Sequence, residues 1–304
     1  MQLVKDGVVI DFLGKRFYAR IFSAILLVGG LVSVLMHQGL NYGIDFRGGT
    51  NIQIRFKEVP NLDHLRDFFV DKDLGNVMLQ TFGSVGDREI LLGLSVDNPL
   101  GTGEKLTYGL RQMLLTDYPE LELRRIETIG PKVGDELKTS ALQAIMIALG
   151  LVLVYITFRF QWRQGIAAII TLLHDVMVVV GIFSIFDKEF TLPVIAALLT
   201  VVGYSLNDTI VIFDRIRENI SKFRQRQLLP LINQSVTETL SRTMLTSGTT
   251  LLVVLALFFL GGEIIHDFAF ALLIGVLIGT YSSIYVASPV VLWLTKIAPP
   301  KSSD

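Results

Sequence analysis

Six apolar stretches, each close to the length of a membrane-spanning helix, constrain this chain more than any other feature. They lie near residues 17–37, 140–158, 166–186, 191–213, 243–261 and 267–294. A helix needs about 20 apolar residues to cross the hydrocarbon core of a bilayer. Hydrophobic residues make up 51% of the 304 residues, and the mean hydropathy is +0.55. The sequence therefore predicts an α-helical membrane protein with six transmembrane helices, the last of which tilts or extends past the lipid.

The basic residues predict how these helices are oriented. If the N-terminus is cytoplasmic, the segments on that side carry thirteen Lys and Arg residues, whereas the short outer loops carry only Lys188. Cytoplasmic segments hold the excess of basic residues in membrane proteins. We therefore expect 1–40 to be a cytoplasmic N-terminus with the first span, and 298–304 to be a cytoplasmic tail. The thirteen residues are Lys5, Lys15, Arg16, Arg20, Arg159, Arg163, Arg215, Arg217, Lys222, Arg224, Arg226, Lys296 and Lys301.

A polar segment, residues 41–138, separates the first span from the second and has the size of a small domain. Its strand-like stretches (50–56, 76–82, 89–96, 121–126) and helical stretches (62–70, 104–115) follow the order βαββαβ. This is the order of ferredoxin-like domains, so the sequence predicts one extracytoplasmic α+β domain.

The other five spans form a compact block, 139–297, with one long link at 214–241. The link is basic at first and then resembles an amphipathic helix at 229–240. It is either a solvated cytoplasmic connector or a contact for a partner or for anionic lipid headgroups.

Several motifs that would indicate enzyme chemistry are absent from the sequence. There is no G-x-x-x-x-G-K-[ST] phosphate loop, no H-E-x-x-H and no G-x-S-x-G. The chain has no cysteine, and its four histidines lack metal-ligand spacing. We therefore expect neither enzymatic activity nor a cofactor, a metal site or a nucleic-acid partner.

Two charged residues interrupt the apolar spans. Asp208 lies about five residues inside the cytoplasmic end of its run, or roughly 7–8 Å deep. Arg242 lies at the same end of the next span, and its side chain is long enough to reach inward. Because a charge inside a bilayer costs at least about 2.5–3.5 kcal/mol, it usually has a role in an ion path or in buried pairing. The pair is interpreted either as a titrating pair in a proton path or as a structural ion pair that joins two helices.

Other polar residues accompany this pair on both spans. Residues four apart share one face of a helix, so each span is expected to carry a polar stripe. Two stripes on consecutive spans predict that they meet inside the bundle. They consist of Thr200, Tyr204, Asn207 and Asp208 on one span and of Arg242, Thr246 and Thr249 on the next.

Asp175, near the middle of the third span and beside His174, is a second carboxylate at bilayer depth. It is interpreted either as a hydrogen-bonded packing carboxyl or as a second group of a proton relay. In the last span, Gly275 and Gly279 have the spacing that lets helices approach closely. This surface is expected to serve packing within the bundle or contact with a partner subunit.

The segment that follows the first span, residues 43–50, reads GIDFRGGT and is interpreted as a glycine-permitted turn into the first strand. It resembles the G-[IL]-D-F-x-G-G-T segment of the SecF proteins, members of the SecD/SecF family within the RND transporter superfamily. Similar resemblances occur at 173–175, 203–209, 213–219, 242–243, 246–250 and 282–287. The resemblance covers nearly the whole chain, and the segment after Gly203 is highly specific.

This resemblance implies an RND-type bundle in the bacterial cytoplasmic membrane. It implies an accessory subunit that pairs with SecD and uses the proton gradient to assist translocation of unfolded preproteins, with the SecYEG translocon and YajC as further partners. The proton-path residues of the family fall on Asp208 and Arg242. A further Asp of that path belongs to SecD, so this chain is expected to hold half of the pathway. The alternatives are a scaffold that is not energised and an exporter of small molecules.

Overall fold

The computed structural model describes residues 8–72, 74, 77–82, 88–96, 98–101, 103–159, 161–223 and 227–297. The tail at 298–304 and four of the basic residues, Lys5, Arg224, Arg226 and Lys301, lie outside the described residues. So does Asn76, which begins one of the expected strands.

Six helical segments are long and apolar enough to cross a membrane, within the part of the chain that the structure describes. They comprise α1 (Arg16–Met36), α5 (Pro131–Arg159), α6 (Trp162–Ile185), α7 (Leu192–Lys222), α8 (Leu228–Leu260), and α9 (Glu263–Ser282) with α10 (Ser288–Ile297). A short 3-10 turn, Leu13–Lys15, precedes α1, and the π-helical turn Ser283–Ala287 joins α9 to α10. The predicted six-helix architecture is confirmed.

Several helices continue beyond the apolar stretches that identified them. With 31 residues, α7 is about 46 Å long, whereas the hydrocarbon core is about 30 Å thick. The expected link at 214–241 is therefore wrong in its extent, because α7 runs to Lys222 and α8 begins at Leu228. The expected separate helix at 229–240 is the first part of α8. Similarly, α5 begins at Pro131, before the expected boundary at Lys138.

The polar segment between α1 and α5 forms the predicted α+β domain. Its elements are β1 (Gly49–Arg55), α3 (Leu62–Asp71), β2 (Val77–Phe82), β3 (Glu89–Ser95), α4 (Glu104–Asp117) and β4 (Glu122–Ile129). The strands form one antiparallel sheet in the order β2-β3-β1-β4, which is the ferredoxin-like arrangement. Alternate residues such as Ile52 and Leu92 are buried against Leu65 and Phe69 of α3 and Leu110 of α4.

A short helix, α2 (Ile44–Arg47), lies at the base of this domain and joins it to the bundle. Gly48 and Gly49 follow it with φ of 76° and 155°, conformations that favour glycine, and they lead directly into β1. The predicted glycine-permitted turn is confirmed. On the opposite side, the Asp45 carboxylate accepts a hydrogen bond from the backbone N–H of Leu192 at 2.9 Å. Leu192 is the first residue of α7, so this segment fixes the N-terminal end of that helix.

The first described residues and the polar ends of two helices pack together beside the bundle. The backbone N–H groups of Ile10 and Leu13 donate to Thr237 Oγ1 and Asn233 Oδ1 on α8, both at 3.0 Å. Between α7 and α8, Arg215 Nε donates to Glu238 Oε2 at 2.6 Å, and Asn219 Nδ2 donates to the same oxygen at 2.9 Å. These contacts explain why polar sequence continues as helix here, since the two helices support each other beyond the apolar region.

Candidate functional site

Asp208 is buried in the bundle, with 2% of its surface exposed. Ser247 on α8 donates a hydrogen bond from its Oγ to Asp208 Oδ2 at 3.3 Å. Thr280 on α9 donates in turn to Ser247 Oγ at 2.8 Å. Three helices therefore meet at this carboxylate, and its hydrogen-bonding partner is a neutral hydroxyl.

Arg242 lies elsewhere, exposed on the surface of α8. No ion pair joins it to Asp208 among the residues that the structure describes, so the expected direct pair is not observed. Ser247 and Arg242 are five residues apart, which places them about 140° apart around the helix. Ser247 and Arg242 therefore lie on different faces of α8, and Ser247 is the one hydrogen-bonded to Asp208.

Several members of the two predicted polar stripes lie at the surface of this chain. Thr200 and Asn207 on α7 and Thr249 on α8 are exposed at the surface of this chain, and Thr246 is half-buried. The threonine hydroxyls donate to carbonyls of the preceding turn of their own helices. Of the stripe residues, Asp208 meets α8 inside the bundle through Ser247. The exposed members form an outward polar face on α7 and α8.

Some hydroxyls near Asp208 have no hydrogen-bond partner among the described residues. They are buried and belong to Tyr204 and Thr209 on α7 and to Thr243 on α8. A buried polar group without a partner costs roughly 1–3 kcal/mol. This part of the bundle therefore retains unused hydrogen-bonding capacity close to a carboxylate.

Asp175 is the centre of a second polar cluster and is 1% exposed. Its Oδ2 accepts hydrogen bonds from Ser205 Oγ of α7 at 2.5 Å and Ser282 Oγ of α9 at 2.7 Å. Its Oδ1 lies 2.9 Å from His174 Nδ1. The carboxyl therefore has hydrogen-bonding neighbours from three helices.

The histidine extends this cluster to α1. His174 Nε2 lies 3.0 Å from Ser23 Oγ, which lies 3.1 Å from the hydroxyl of Tyr281. Tyr281 donates to the carbonyl oxygen of Ala19 at 2.7 Å. A continuous chain of hydrogen-bonding groups thus runs from the backbone of α1 to the buried Asp175.

Two glycines of α9 pack against α7 within the helix bundle. A Cβ atom on Gly275 would lie 2.0 Å from Val201 Cγ2 of α7, and one on Gly279 would lie 3.0 Å from the Cβ of Ser205. Both glycines therefore bring α9 against α7, the helix that carries Asp208. Of the two expectations for this surface, packing within the bundle is the one observed.

Sequence reasoning missed several members of both clusters. Ser247, Thr280 and Ser205 lie on the expected helices, but a lone hydroxyl in an apolar span is common and gives no distinctive signal. The only signal that the sequence offers for them is their position on a helix face that could turn towards an acidic residue. Ser23 gives no signal at all, because its partner is 151 positions away.

Comparison with known proteins provides the family of the chain. Residues 111–297 match the family described as "Protein export membrane protein SecD/SecF, C-terminal", and residues 33–58 match the SecD/SecF GG motif. The chain belongs to the SecD/SecF family. The GG motif covers α2 and the turn through Gly48 and Gly49, while the larger match covers the region that carries both carboxylate clusters.

Individual relatives agree with this assignment. The chain is 47% identical over 284 residues to "Protein translocase subunit SecF" of Desulfurispirillum indicum, covering 92% of this chain and 90% of the relative. It is 44% identical over 294 residues to the protein of the same name from Vibrio alginolyticus, covering 96% and 92%.

The chain is also similar to a solved structure of a longer protein. It superposes on SecDF of Thermus thermophilus, a "translocon-associated membrane protein", with a TM-score of 0.84, 38% identity and 97% of this chain covered. The chain spans only 40% of the length of that SecDF chain.

Proposed function

We propose that the chain is an accessory subunit of the Sec protein-export machinery that, together with SecD, uses the proton gradient to assist translocation of unfolded preproteins. Membership of the SecD/SecF family supports the subunit role. The observation that carries the energised form of the proposal is the burial of Asp208 inside a membrane bundle, beside a hydroxyl instead of a cation. The role is transport and uses no catalytic residue.

The proposed location is the bacterial cytoplasmic membrane, with both termini in the cytoplasm and the α+β domain outside it. Six crossings return the chain to the side on which it began. The basic residues at the start of α1 and at the ends of α5, α7 and α10 all fall on one side in this arrangement, as the positive-inside rule requires.

In the proposed mechanism, Asp208 takes up and releases a proton during each cycle. A change in its charge alters its hydrogen bond with Ser247, and Thr280 carries that change to α9. Ser282, two residues further along α9, contacts Asp175, so the second carboxylate responds to the same movement. One charge that crosses the membrane field provides about 2.3 kcal/mol per 100 mV, enough to bias two packing arrangements.

SecD is proposed to cover the outward polar face of α7 and α8. Helices of SecD would then contact Arg242, Tyr204 and Asn207. They would complete a proton path of which this chain holds one half. Arg242 and Asp208 would then act together within the assembled complex. The SecYEG translocon, the preprotein and YajC are proposed as further partners, on the basis of the family alone.

The experiment compares Asp208→Asn with Glu218→Gln, a control that removes an exposed carboxylate from the same helix. Preprotein translocation into inverted membrane vesicles is measured with and without an uncoupler, at equal protein levels. We expect Asp208→Asn to lose the gradient-dependent part of translocation and to keep its association with SecD, whereas Glu218→Gln keeps both. Undiminished gradient-dependent translocation by Asp208→Asn would favour the scaffold role.

A further inference from the structure

A groove of about 790 Å³ opens on the side of the bundle where α1 and α10 both pack against α6. Its volume is within the range of small-molecule sites. None of these three helices carries the outward polar face of α7 and α8. The groove therefore lies apart from the surface proposed for SecD, while Ser23 and His174 of the Asp175 cluster form part of its lining.

The groove has a charged end and an apolar end. Arg16 and Arg20 of α1 and Lys296 of α10 line the charged end. Arg16 is half-buried and the other two are exposed, and none of the three has an acidic partner among the residues that the structure describes. Three cations within one groove attract an anion, and arginine binds phosphate oxygens with two parallel hydrogen bonds.

Most of the remaining lining is apolar, and Ser23, His174 and Tyr285 are its other polar members. Leu173 and Met177 of α6 lie four residues apart on one face and are 46% and 53% exposed, and Ala24 and Leu27 line the α1 side. Trp293 of α10, 58% exposed, lies on the same groove near the charged end, a position typical of aromatic residues at a membrane interface.

The length of the groove matches one leaflet of a bilayer. Arg16 and Leu27 are eleven positions apart on α1, or about 16 Å along the helix axis. Half of a hydrocarbon core about 30 Å thick is nearly the same length. An occupant with an anionic head at Arg16 and a chain that ends near Leu27 would therefore occupy a single leaflet.

We propose that this groove binds one anionic phospholipid, with its phosphate on Arg16, Arg20 and Lys296 and its acyl chains over the apolar lining. Basic pockets between transmembrane helices bind anionic lipid headgroups in this manner. A transmembrane helix of a partner fits less well, because it would leave the three cations without an anion. With the topology proposed above, the lipid belongs to the cytoplasmic leaflet.

The test uses the fluorescence of Trp293, one of two tryptophans in the chain. Trp162→Phe leaves Trp293 as the single reporter. The full-length protein is placed in phosphatidylcholine vesicles that contain either brominated phosphatidylglycerol or brominated phosphatidylcholine, whose bromine atoms quench nearby indoles. The ratio of the quenching by the two brominated lipids gives the relative binding constant of phosphatidylglycerol over phosphatidylcholine at this groove.

A matched pair of variants separates the groove from general surface charge. Arg16→Gln with Arg20→Gln removes two cations of the groove, whereas Lys15→Gln with Arg217→Gln removes two exposed cations outside it. A basic residue near an anionic surface contributes about 1 kcal/mol, which corresponds to roughly fivefold in binding. We expect the preference for phosphatidylglycerol to fall by about five- to 25-fold in the first variant and to persist in the second.

A third variant leaves all charges in place. Ala24→Phe fills the apolar part of the groove and is expected to bring the preference close to one. The proposal is overturned if the parent protein shows no preference, if both double variants lose it equally, or if Ala24→Phe retains it in full. It is also overturned if reconstitution with SecD abolishes quenching by both lipids, since a protein helix would then occupy the groove.

Discussion

The contact between Gly275 and Val201 provides a sharp test of how α9 packs on α7. A methyl group added at Gly275 would place its carbon 2.0 Å from Val201 Cγ2 and 2.8 Å from Cγ1. Carbon atoms normally approach to about 3.5–4.0 Å, so the overlap is roughly 1.5 Å. Valine in a helix has one strongly preferred rotamer and cannot turn away at low cost. Gly275→Ala therefore forces the two helices apart.

The expected cost of this separation is about 1–3 kcal/mol, the usual range for overpacking. Replacing a helical glycine with alanine by itself stabilises the helix by up to about 1 kcal/mol, so the net destabilisation is smaller than the strain. Gly248→Ala on α8 is the matched control, because a Cβ there would meet nothing within 4 Å. This control is expected to be neutral or slightly stabilising.

The assay is equilibrium unfolding of the purified chain in detergent, arranged as a double-mutant cycle. Val201→Ala removes the two atoms that overlap most and leaves only Cβ, at 3.0 Å. The combined variant should therefore be more stable than the sum of the two single changes predicts, by at least about 1 kcal/mol. Additive effects, or a Gly275→Ala protein as stable as the Gly248→Ala control, would refute the close packing of α9 on α7.

Three further predictions concern the outer face and the polar face. Asp45→Ala should destabilise the chain by about 1–2 kcal/mol in detergent unfolding because Leu192 loses its acceptor, whereas Asp45→Asn should retain most of the stability. Burial, followed by repulsion from Asp267, raises the pKa of Glu189 to about 7. The contribution of Glu189 to stability should therefore be fully present below about pH 4.5 and fall by up to roughly 3 kcal/mol as the pH rises through 7; Glu189→Gln should remove this part of the pH dependence, and a variant with the pH profile of the parent would contradict it. Gly203→Leu, where a Cβ would meet nothing within 4 Å, should preserve the stability of the isolated chain but reduce co-purification with SecD, and unchanged recovery would remove this face from the interface.

The helix content was predictable because the bilayer imposes a simple length rule on apolar sequence. The same rule explains the errors at the helix ends, since hydropathy detects only the part of a helix that lies in lipid. Residues 214–222 read as a polar link, yet they continue α7 because Arg215 and Asn219 bind Glu238 on the neighbouring helix. Such support is tertiary, and no local pattern in the sequence reveals it.

The sequence identified the two carboxylates of the candidate site, but not the residues that contact them. Helical spacing grouped Asp208 with Thr200 and Tyr204 along α7, whereas in the structure Asp208 is buried and Thr200 is exposed. Spacing also could not determine which face of α8 turns towards Asp208. The structure places Ser247 there, and Arg242 about 140° away. Similarly, spacing identified Asp175 and His174 as polar at bilayer depth, whereas their partners on α1, α7 and α9 depend on how the helices cross.

The position of the π-helical turn suggests how the two carboxylates influence the rest of the bundle. Thr280 and Ser282, which connect to Asp208 and Asp175, lie within the three residues that precede the turn at Ser283–Ala287. A π-helical turn interrupts the regular hydrogen-bond ladder, and such turns are frequent at functional sites. Because α10 follows directly and lines the groove with Trp293 and Lys296, a shift of α9 at the carboxylates would reach the proposed lipid site through this turn. Occupancy of the groove and the charge of Asp208 should therefore depend on each other, since coupling between two sites acts equally in both directions.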